Sequence, residues 1–291
     1  MTNPRVALLC SRVRVEEKLL RDALVHRGAE VVRVDDREIV LDLAAPWRDV
    51  DVVLERSLSQ TNALAALQVF EAWGLPTVNR HAVTALCADK LSTSAALAAA
   101  AVPAPQTIVA FSIESALEAV ERIGYPVVLK PLTGSWGRLL ARINDRDSAE
   151  ALFEHKSTLG SPEHSVFYLQ EHCNKPSRDI RVFVVDGEPI AAVYRTSEHW
   201  ITNTARGART SNCPVSADIA RLSRQAAATV GGGVLAVDLL EAADRLLVSE
   251  VNAGMEFRNS IDVTGVDIPG HVADFVLRVA RAVPARVEAL A

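Results

Sequence analysis

The sequence of 291 residues contains only four cysteines, and no two of them stand at the spacing of a structural zinc site. No apolar run approaches the ~18 consecutive residues that are needed to cross a bilayer. Charged residues follow the N-terminus too soon for a signal peptide. The apolar residues 5–10 predict a first strand instead. These absences predict a cytoplasmic protein that has reduced thiols, no structural zinc and no membrane partner.

The formal net charge is −5, so the chain has no excess of positive charge. This balance argues against a general nucleic-acid partner. Lysine is scarce, with only five among the 31 basic residues, which suggests that some positions require a compact ammonium group. Hydrophobic residues make up 49% of the chain, enough for the cores of two or three lobes.

The first 80 or so residues alternate between strand and helix patterns. Apolar runs at 5–10, 30–34 and 51–55 are separated by helical patterns at 16–27 and 61–73, which favours a parallel α/β sheet. No GxGxxG motif follows the first strand, so a dinucleotide-binding site lacks its signature. The residues that follow it are Ser11, Arg12 and Arg14, which are either solvated loop charges or an anion-binding group at a strand end.

The remainder of the chain predicts a second run of mixed elements. An alanine-rich helix is expected over residues 85–101, with Pro103 and Pro105 as a hinge between lobes. Ser112 is expected to cap a helix that ends at Gly124. The later predicted elements are strands at 125–131, 137–143 and 166–170, helices at 148–159 and 217–230, a hairpin at 179–195 that turns at Asp186-Gly187, a hairpin at 234–252, and a terminal helix from about residue 272.

Three oxygen-bearing side chains fall on the last predicted hairpin. Glu250 and Asn252 are two residues apart, so on a strand they project from the same face. If the turn centres near Ala243, Asp238 lies diagonally across from Glu250 on that face, and a slip of one residue would break the alignment. Two carboxylates and an amide oxygen suit Mg²⁺. The alternative is a polar solvent face on an edge hairpin, but the apolar residues around Asp238 favour an interior site.

A lysine and a short glycine-bearing segment predict contacts with phosphate. Lys130 ends a buried strand, and residues 131–137 (PLTGSWG) follow it. GxxxxGK[ST] is absent and a strand follows, so this segment is not a Walker loop. It resembles a flap whose backbone N–H groups can close over phosphates.

Polar residues gather at three later points. Residues 166–173 run from an apolar strand into polar residues, as a nucleotide-lining linker would. Asp179 and Arg181 share a strand face, where they either pair with each other or bind a ligand. Another group is either a solvated arginine cluster or a substrate loop; it comprises Arg195, Asn203, Arg206 and Arg209.

These segments, in this order, resemble the ATP-grasp superfamily and, within it, the RimK/LysX branch. The resemblance is carried by PVVLKPLTGSWGR, LQEHCNKPSRDIRVFVVDGE, HWITNTARGA, VLAVDLLE and SEVNAGMEFRNS. It implies an α/β (α+β) ATP-grasp fold with an N-terminal parallel α/β domain at 1–86, a central lid domain at 87–168 and a C-terminal domain with the magnesium site at 169–291. Two positions depart from the family pattern: Ala208 stands where a second glycine is common, and Ala253-Gly254 differs from LysX-type chains.

The resemblance also implies roles for individual residues. The nucleotide would be bound by Lys90, Lys130, Gly134, Ser135, Trp136, Gly137, Gln170, Glu171, His172, Cys173, Asp179 and Arg181. The catalytic set would be Arg195, Asn203 and Arg206. Two Mg²⁺ ions would be held by Asp238, Glu250 and Asn252. The substrate would be contacted by Thr204, Glu256, Phe257, Arg258 and Asn259.

Such an enzyme uses ATP to convert a carboxylate into an acyl phosphate, which an amine then attacks. The resemblance implies that the carboxyl is the γ-carboxyl of the C-terminal glutamate of a small acidic, LysW-like carrier protein. The amine would be the α-amino group of α-aminoadipate or glutamate. The alternatives are a glutamate-adding modifier, a specialised-metabolite peptide ligase, and a non-enzymatic nucleotide-binding module. We also expect a homo-oligomer.

Overall fold

The computed structural model describes residues 3–134, 138–159, 165–204, 207–243 and 245–282. Its N-terminal part is a four-stranded parallel sheet in the order β2-β1-β3-β4. The strands are β1 (Arg5–Leu9), β2 (Glu30–Val34), β3 (Val52–Glu55) and β4 (Thr77–Val78), and the helices are α1 (Val15–His26) and α2 (Gln60–Ala72). The predicted parallel α/β organisation is confirmed.

A second sheet has four antiparallel strands in the order β5-β8-β6-β7. Its elements are β5 (Thr107–Ala110), α5 (Ile113–Ile123), β6 (Val127–Lys130), β7 (Ala141–Ile143), α6 (Arg146–Leu159) and β8 (Phe167–Glu171). Ser112 caps α5, as predicted, because its side chain accepts a hydrogen bond from the backbone N–H of Ser115. The domain boundary predicted at residue 168 falls inside β8.

A third sheet has five antiparallel strands in the order β11-β10-β9-β12-β13. The strands are β9 (Arg178–Val185), β10 (Glu188–Thr196), β11 (Arg209–Asn212), β12 (Val234–Ala242) and β13 (Arg245–Asn252); the later helices are α7 (Ala217–Val230), α8 (Ile261–Thr264) and α9 (Ile268–Ala282). The predicted turn at Asp186-Gly187 is present. Both residues have positive φ, 55° and 79°, which a tight two-residue hairpin turn requires.

The single helix predicted over residues 85–101 is wrong, because two helices meet there: α3 (His81–Ala88) and α4 (Lys90–Ala99). Asp89 between them has an extended backbone, and its side chain caps α4 by accepting a hydrogen bond from the N–H of Ser92 at 2.6 Å. Asp89 also forms a β-bridge with Thr133. A capping aspartate therefore interrupts the alanine-rich pattern and fixes the start of α4 at Lys90.

The three sheets and their helices form four apolar cores, one of which lies between the parallel sheet and α2, for example through Phe70. One face of the five-stranded sheet packs against α1, α9 and the parallel sheet, for example through Phe183, Leu20 and Val276. The opposite face packs against α7 and α4, which brings Leu97 into this core. The β5-β8-β6-β7 sheet has a separate core with α5 and α6. The N-terminal and five-stranded sheets thus meet over apolar surface.

In the described ranges, no helix has both the length and the apolar character that crossing a membrane demands. All four cysteines belong to those ranges, and each is a free thiol.

Candidate active site

A row of charged side chains crosses one face of the five-stranded sheet. Arg195 on β10 lies directly opposite Asp179 on β9. Arg181 on β9 lies opposite Asp238 on β12, and Asp238 in turn lies opposite Glu250 on the edge strand β13. Because directly opposed residues share a face, antiparallel pairing alone gathers two arginines and three carboxylates from four strands.

A β-bulge sets the position of Glu250 in this row. Leu239 pairs with Val248, but the next residue of β12, Asp238, pairs with Glu250, so Ser249 has no partner across the strand pair. In a regular register without the bulge, Asp238 would pair with Ser249, and Glu250 would point to the other face. The predicted common face of Asp238 and Glu250 is therefore present, but they lie directly opposite each other and not diagonally.

The centre of the row is buried and fully paired. Asp238 is 4% exposed, and it accepts hydrogen bonds from Nε and Nη2 of Arg181 at 2.8 and 2.9 Å. Nη2 of Arg195 lies 3.1 Å from the same carboxylate. Burial alone would raise the pKa of Asp238, but the two guanidinium groups outweigh it and lower the pKa below the usual range. Asp238 is thus an ionised interior carboxylate, which excludes the solvent-facing alternative.

Asp179 does not pair with Arg181, so the predicted alternative in which these two residues pair with each other is wrong. Its two oxygens accept from Nε and Nη2 of Arg195 at 2.6 and 2.8 Å. Thr202 donates its hydroxyl to the same carboxylate, and Lys175 donates to the Thr202 oxygen at 3.0 Å. Burial would lower the pKa of Arg195, but Asp238 and Asp179 raise it, so the arginine remains charged.

A cavity of about 100 Å³ lies between this row and the β5-β8-β6-β7 sheet. Lys130 lines it at the end of β6 and donates to Oε1 of Gln170 at 2.6 Å. Burial lowers the pKa of Lys130, with Glu250 acting in the opposite direction. Other predicted nucleotide-binding residues lining this cavity are Lys90, Gln170, Glu171, His172, Cys173 and Asp179.

A larger cavity of about 390 Å³ adjoins it, within the size range of small-molecule sites. It extends to the loops that follow β1 and β3 of the parallel sheet, through Arg14 and Arg56. Among the described residues, four line both cavities: Lys90, Arg195, Asn203 and Glu250. Of the other predicted residues, Gly134, Arg181, Asn252, Thr204 and Glu256 line the larger cavity.

Lys90 ties the helix junction to the segment after β6. Its backbone N–H donates to the carbonyl of Leu132 at 2.9 Å, and its Nζ donates to the carbonyl of Gly134 at 2.6 Å. The same Nζ lies 3.5 Å from Oε1 of Glu250. The first turn of α4 thus places one ammonium group between the base of the predicted flap and the acidic end of the charged row.

The predicted magnesium ligands fit a divalent cation. Asp238 and Glu250 lie directly opposite each other, so their carboxylates share one face of the β12–β13 pair. Asn252 follows on the same face, and its buried Nδ2 has no hydrogen-bond partner in the described part of the chain. Within those ranges no cluster of three or more His, Cys, Asp or Glu residues exists, so any cation here would rely on the amide. Carboxylate and amide oxygens are a donor set typical of Mg²⁺.

Only some of the predicted substrate-contacting residues lie at a cavity. Glu256 accepts from Nη1 of Arg14 at 2.8 Å. Phe257 is 1% exposed in the core shared with α9, so in this structure it does not face the cavity. Arg258 and Asn259 are exposed and line neither cavity. Four further predicted residues, Ser135, Trp136, Gly137 and Arg206, lie outside the described residues.

Sequence reasoning missed one group of cavity residues in the N-terminal part. Arg14 donates three hydrogen bonds to Glu17, at 2.9 to 3.0 Å, and Arg56 donates a fourth at 3.1 Å. Arg14 is therefore held by ion pairs within the protein and is not a solvated loop charge. Arg56 directly follows β3, and a cation at the carboxyl end of a parallel strand is the signal that could have revealed it.

Comparison with known proteins agrees with this architecture. Residues 6–86 match the LysX preATP-grasp domain, and residues 87–276 match the RimK-like ATP-grasp domain. The alpha-aminoadipate–LysW ligase LysX of Saccharolobus solfataricus is 34% identical over 260 residues, covering 88% of this chain and 94% of the relative. The glutamate–LysW ligase ArgX of Sulfolobus acidocaldarius is 32% identical over 277 residues, covering 94% and 98%.

A solved structure gives the same result. The RimK domain protein ATP-grasp from Sphaerobacter thermophilus is 33% identical, with a TM-score of 0.79, covering 94% of this chain and 99% of that chain. The chain therefore belongs to the RimK-like ATP-grasp family. It is an ATP-dependent, ADP-forming ligase that makes C–N bonds, and its family uses ATP and Mg²⁺.

Proposed function

We propose that this ligase joins the γ-carboxyl of the C-terminal glutamate of a small acidic, LysW-like carrier protein to the α-amino group of α-aminoadipate or glutamate. The observation that carries the proposal is the pair of adjoining cavities with Lys90, Arg195, Asn203 and Glu250 on both walls. One cavity suits a nucleotide and the other a second small substrate. The reacting groups would meet where these four residues lie.

The nucleotide would contact the residues that line the smaller cavity, which at about 100 Å³ holds only part of it. Lys90 and Lys130 would contact its phosphates, and Asp179 would hold the ribose. Asp238, Glu250 and Asn252 would hold two Mg²⁺ ions, whose charge would counter the negative charge of the phosphates. The facing carboxylates of Asp238 and Glu250, with Asn252 on the same face, support this assignment.

The chemistry needs positioned charge more than a side-chain nucleophile. A carboxylate oxygen of the carrier attacks the γ-phosphorus, ADP leaves, and an acyl phosphate forms. The amine then attacks the acyl carbon, the bond to the phosphate oxygen breaks, and phosphate leaves. Arg195, held by Asp179 and Asp238, and the neighbouring Asn203 would stabilise the developing negative charge at fixed positions.

The carrier and the amino acid are proposed from the relatives. LysX and ArgX share a LysW carrier in their names and differ in the amino acid, α-aminoadipate in one and glutamate in the other. They cover 88% and 94% of this chain, and the part that contributes Arg14 and Arg56 to the larger cavity lies within the match to the LysX preATP-grasp domain. The three-domain division and a homo-oligomeric state remain predictions.

The test is a ligation assay with ATP, Mg²⁺ and a LysW-type carrier. We expect release of ADP and phosphate only when both the carrier and either L-2-aminoadipate or L-glutamate are present. Mass spectrometry should show a carrier heavier by one amino-acid residue. A carrier that lacks its terminal glutamate is the matched control and should remain unmodified. Rapid ADP release with neither substrate, and no adduct, would contradict the proposal.

A further inference from the structure

Arg56 is a buried arginine whose guanidinium group is only partly used by the protein. The residue is 7% exposed, directly follows β3 and lines the larger cavity. Its Nε donates to Oε1 of Glu17 at 3.1 Å, and its Nη1 donates to the backbone carbonyl of Met255 at 2.8 Å. Its Nη2 is buried and has no partner among the residues that the structure describes.

These contacts fix the plane of the guanidinium group. Glu17 anchors it from α1, and the Met255 carbonyl anchors it from the segment after β13. One proton of Nη1 and both protons of Nη2 then remain for another acceptor. A buried nitrogen of a charged group that lacks a partner is unfavourable, so an anion that satisfies it gains binding energy. Two adjacent nitrogens of a fixed guanidinium match the two oxygens of a carboxylate.

The charges around Arg56 leave it available to an anion. Glu17 is 0% exposed, and it is shared with Arg14, which also pairs with Glu256. Glu55 is adjacent in sequence, but burial raises the pKa of its carboxyl, which favours the neutral form. The carboxylates nearest to Arg56 are therefore already engaged or held toward neutrality.

The same cavity also offers negative charge at other points. Glu250 and Glu256 line its wall and are partly exposed. A cavity that has a fixed guanidinium on one side and carboxylates on another suits a zwitterion, which carries both a carboxylate and an ammonium group.

We infer that Arg56 binds a carboxylate of the amino-acid substrate and thereby orients its amine toward the activated carboxyl. This inference rests on the proposed function and deepens it, since it assigns substrate recognition to the loop after β3. Recognition of the substrate carboxylate is thereby assigned to Arg56 and not to Arg258, which is exposed and lines neither cavity.

The first test is calorimetric binding of L-glutamate and L-2-aminoadipate to the full-length protein with Mg²⁺ and the β,γ-imido analogue of ATP. Arg56→Met should weaken binding of the preferred amino acid roughly 10- to 100-fold, because a charged, bidentate contact is lost. Arg221→Met, at an exposed position of α7 that lines neither cavity, is the matched control and should change binding less than about twofold. Affinity for the ATP analogue should be unchanged in both variants.

A purely structural role for Arg56 is tested with amide analogues. L-glutamine carries an amide in place of the side-chain carboxylate, and L-isoglutamine carries one in place of the α-carboxylate. The wild type should discriminate strongly against the amide at the carboxylate that Arg56 holds, and Arg56→Met should lose that discrimination. A structural effect alone would weaken binding of the acid and both amides equally.

Arg56→Lys extends the test if Arg56→Met does not fold. Lysine keeps the charge but offers no planar pair of donors, so discrimination between acid and amide should fall and not vanish. If either variant discriminates between acid and amide as the wild type does, or binds the amino acid with unchanged affinity, the role of Arg56 is overturned. The proposed function is not affected by that result. A wild type that binds neither amino acid overturns both this inference and the proposed substrate.

Discussion

Asp238 lies directly opposite Glu250 across the β12–β13 pair, although the regular register of the hairpin would separate them onto different faces. Their surroundings differ. Asp238 is 4% exposed and held by Arg181 and Arg195, whereas Glu250 is partly exposed and has Lys90 at 3.5 Å. The first carboxylate is therefore part of the folded interior, and the second belongs mainly to the cavity.

The first prediction concerns Asp238→Asn. The change removes the negative charge that neutralises the buried Arg195 and the half-buried Arg181, so we expect a loss of about 3 kcal/mol or more in the free energy of unfolding. Ligase activity should fall by at least ~100-fold, as for the loss of a metal ligand and charge partner. Urea unfolding and an ADP-release assay measure the two effects.

Glu250→Gln is the second prediction and the matched contrast. Activity should fall similarly, but the free energy of unfolding should change by less than about 1 kcal/mol, because the Lys90 contact is longer and partly exposed. A Glu250→Gln variant that retains wild-type activity would contradict a metal-binding role. Equal destabilisation of both variants would contradict the difference in surroundings.

The third prediction concerns Asn79, whose side chain links the parallel sheet to the five-stranded sheet. Its Nδ2 donates to the carbonyls of Val234 and Ala253 at 2.8 and 2.9 Å, and its Oδ1 accepts from the N–H of Val234 at 2.7 Å. Asn79→Ala removes the partner of three backbone groups, two of them in buried hydrogen bonds, and should cost about 3 kcal/mol or more.

Urea unfolding with Asn62→Ala as the control checks this cost. Asn62 makes one side-chain hydrogen bond, at 3.3 Å to the carbonyl of Asp36, so its loss should cost less than about 1 kcal/mol. Comparable destabilisation of both variants would show that Asn79 does not hold the two sheets together.

The fourth prediction concerns Asp89, which caps α4 and fixes the backbone of Lys90. Asp89→Ala should destabilise the protein by about 1 kcal/mol, because the N–H of Ser92 loses its acceptor. Asp89→Asn should be close to wild type, since asparagine is an equally good cap. Thermal unfolding distinguishes them, and equal losses in both variants would indicate that the charge, and not the cap, is what matters.

The fifth prediction concerns pH and Glu17. Burial would raise the pKa of this carboxyl, but Arg14 and Arg56 outweigh it and lower the pKa. A lowered folded-state pKa contributes stability above the unfolded value of about 4.3, and that stability disappears as the pH falls through the folded-state pKa. Glu17→Gln should therefore be roughly 3 kcal/mol less stable than wild type at pH 7, and the difference should shrink below about pH 4.

Urea titrations of both proteins from pH 7 to pH 3 measure this difference. A constant gap over the whole range would show that the ionised form of Glu17 does not stabilise the fold.

The sequence alone predicted the order of most elements and the residues that are proposed to hold the metal. Local signals were sufficient where they were strong, as at Ser112, at the Asp186-Gly187 turn and around Asp238, whose apolar neighbours predicted an interior strand. They failed at Asp89, where a side-chain cap and a β-bridge to Thr133 override a continuous helical pattern. They also failed at Phe257, because a motif residue can face a core as well as a substrate.

Only the tertiary structure decided which charges meet. Sequence spacing placed Asp179 and Arg181 on one face, but strand order gave them Arg195 and Asp238 as partners. The bulge at Ser249 turned Glu250 toward Asp238, and the docking of the parallel sheet brought Arg56 into the cavity. The physical reason is that periodicity fixes the face on which a side chain lies, whereas its partners depend on register and on contacts between distant segments.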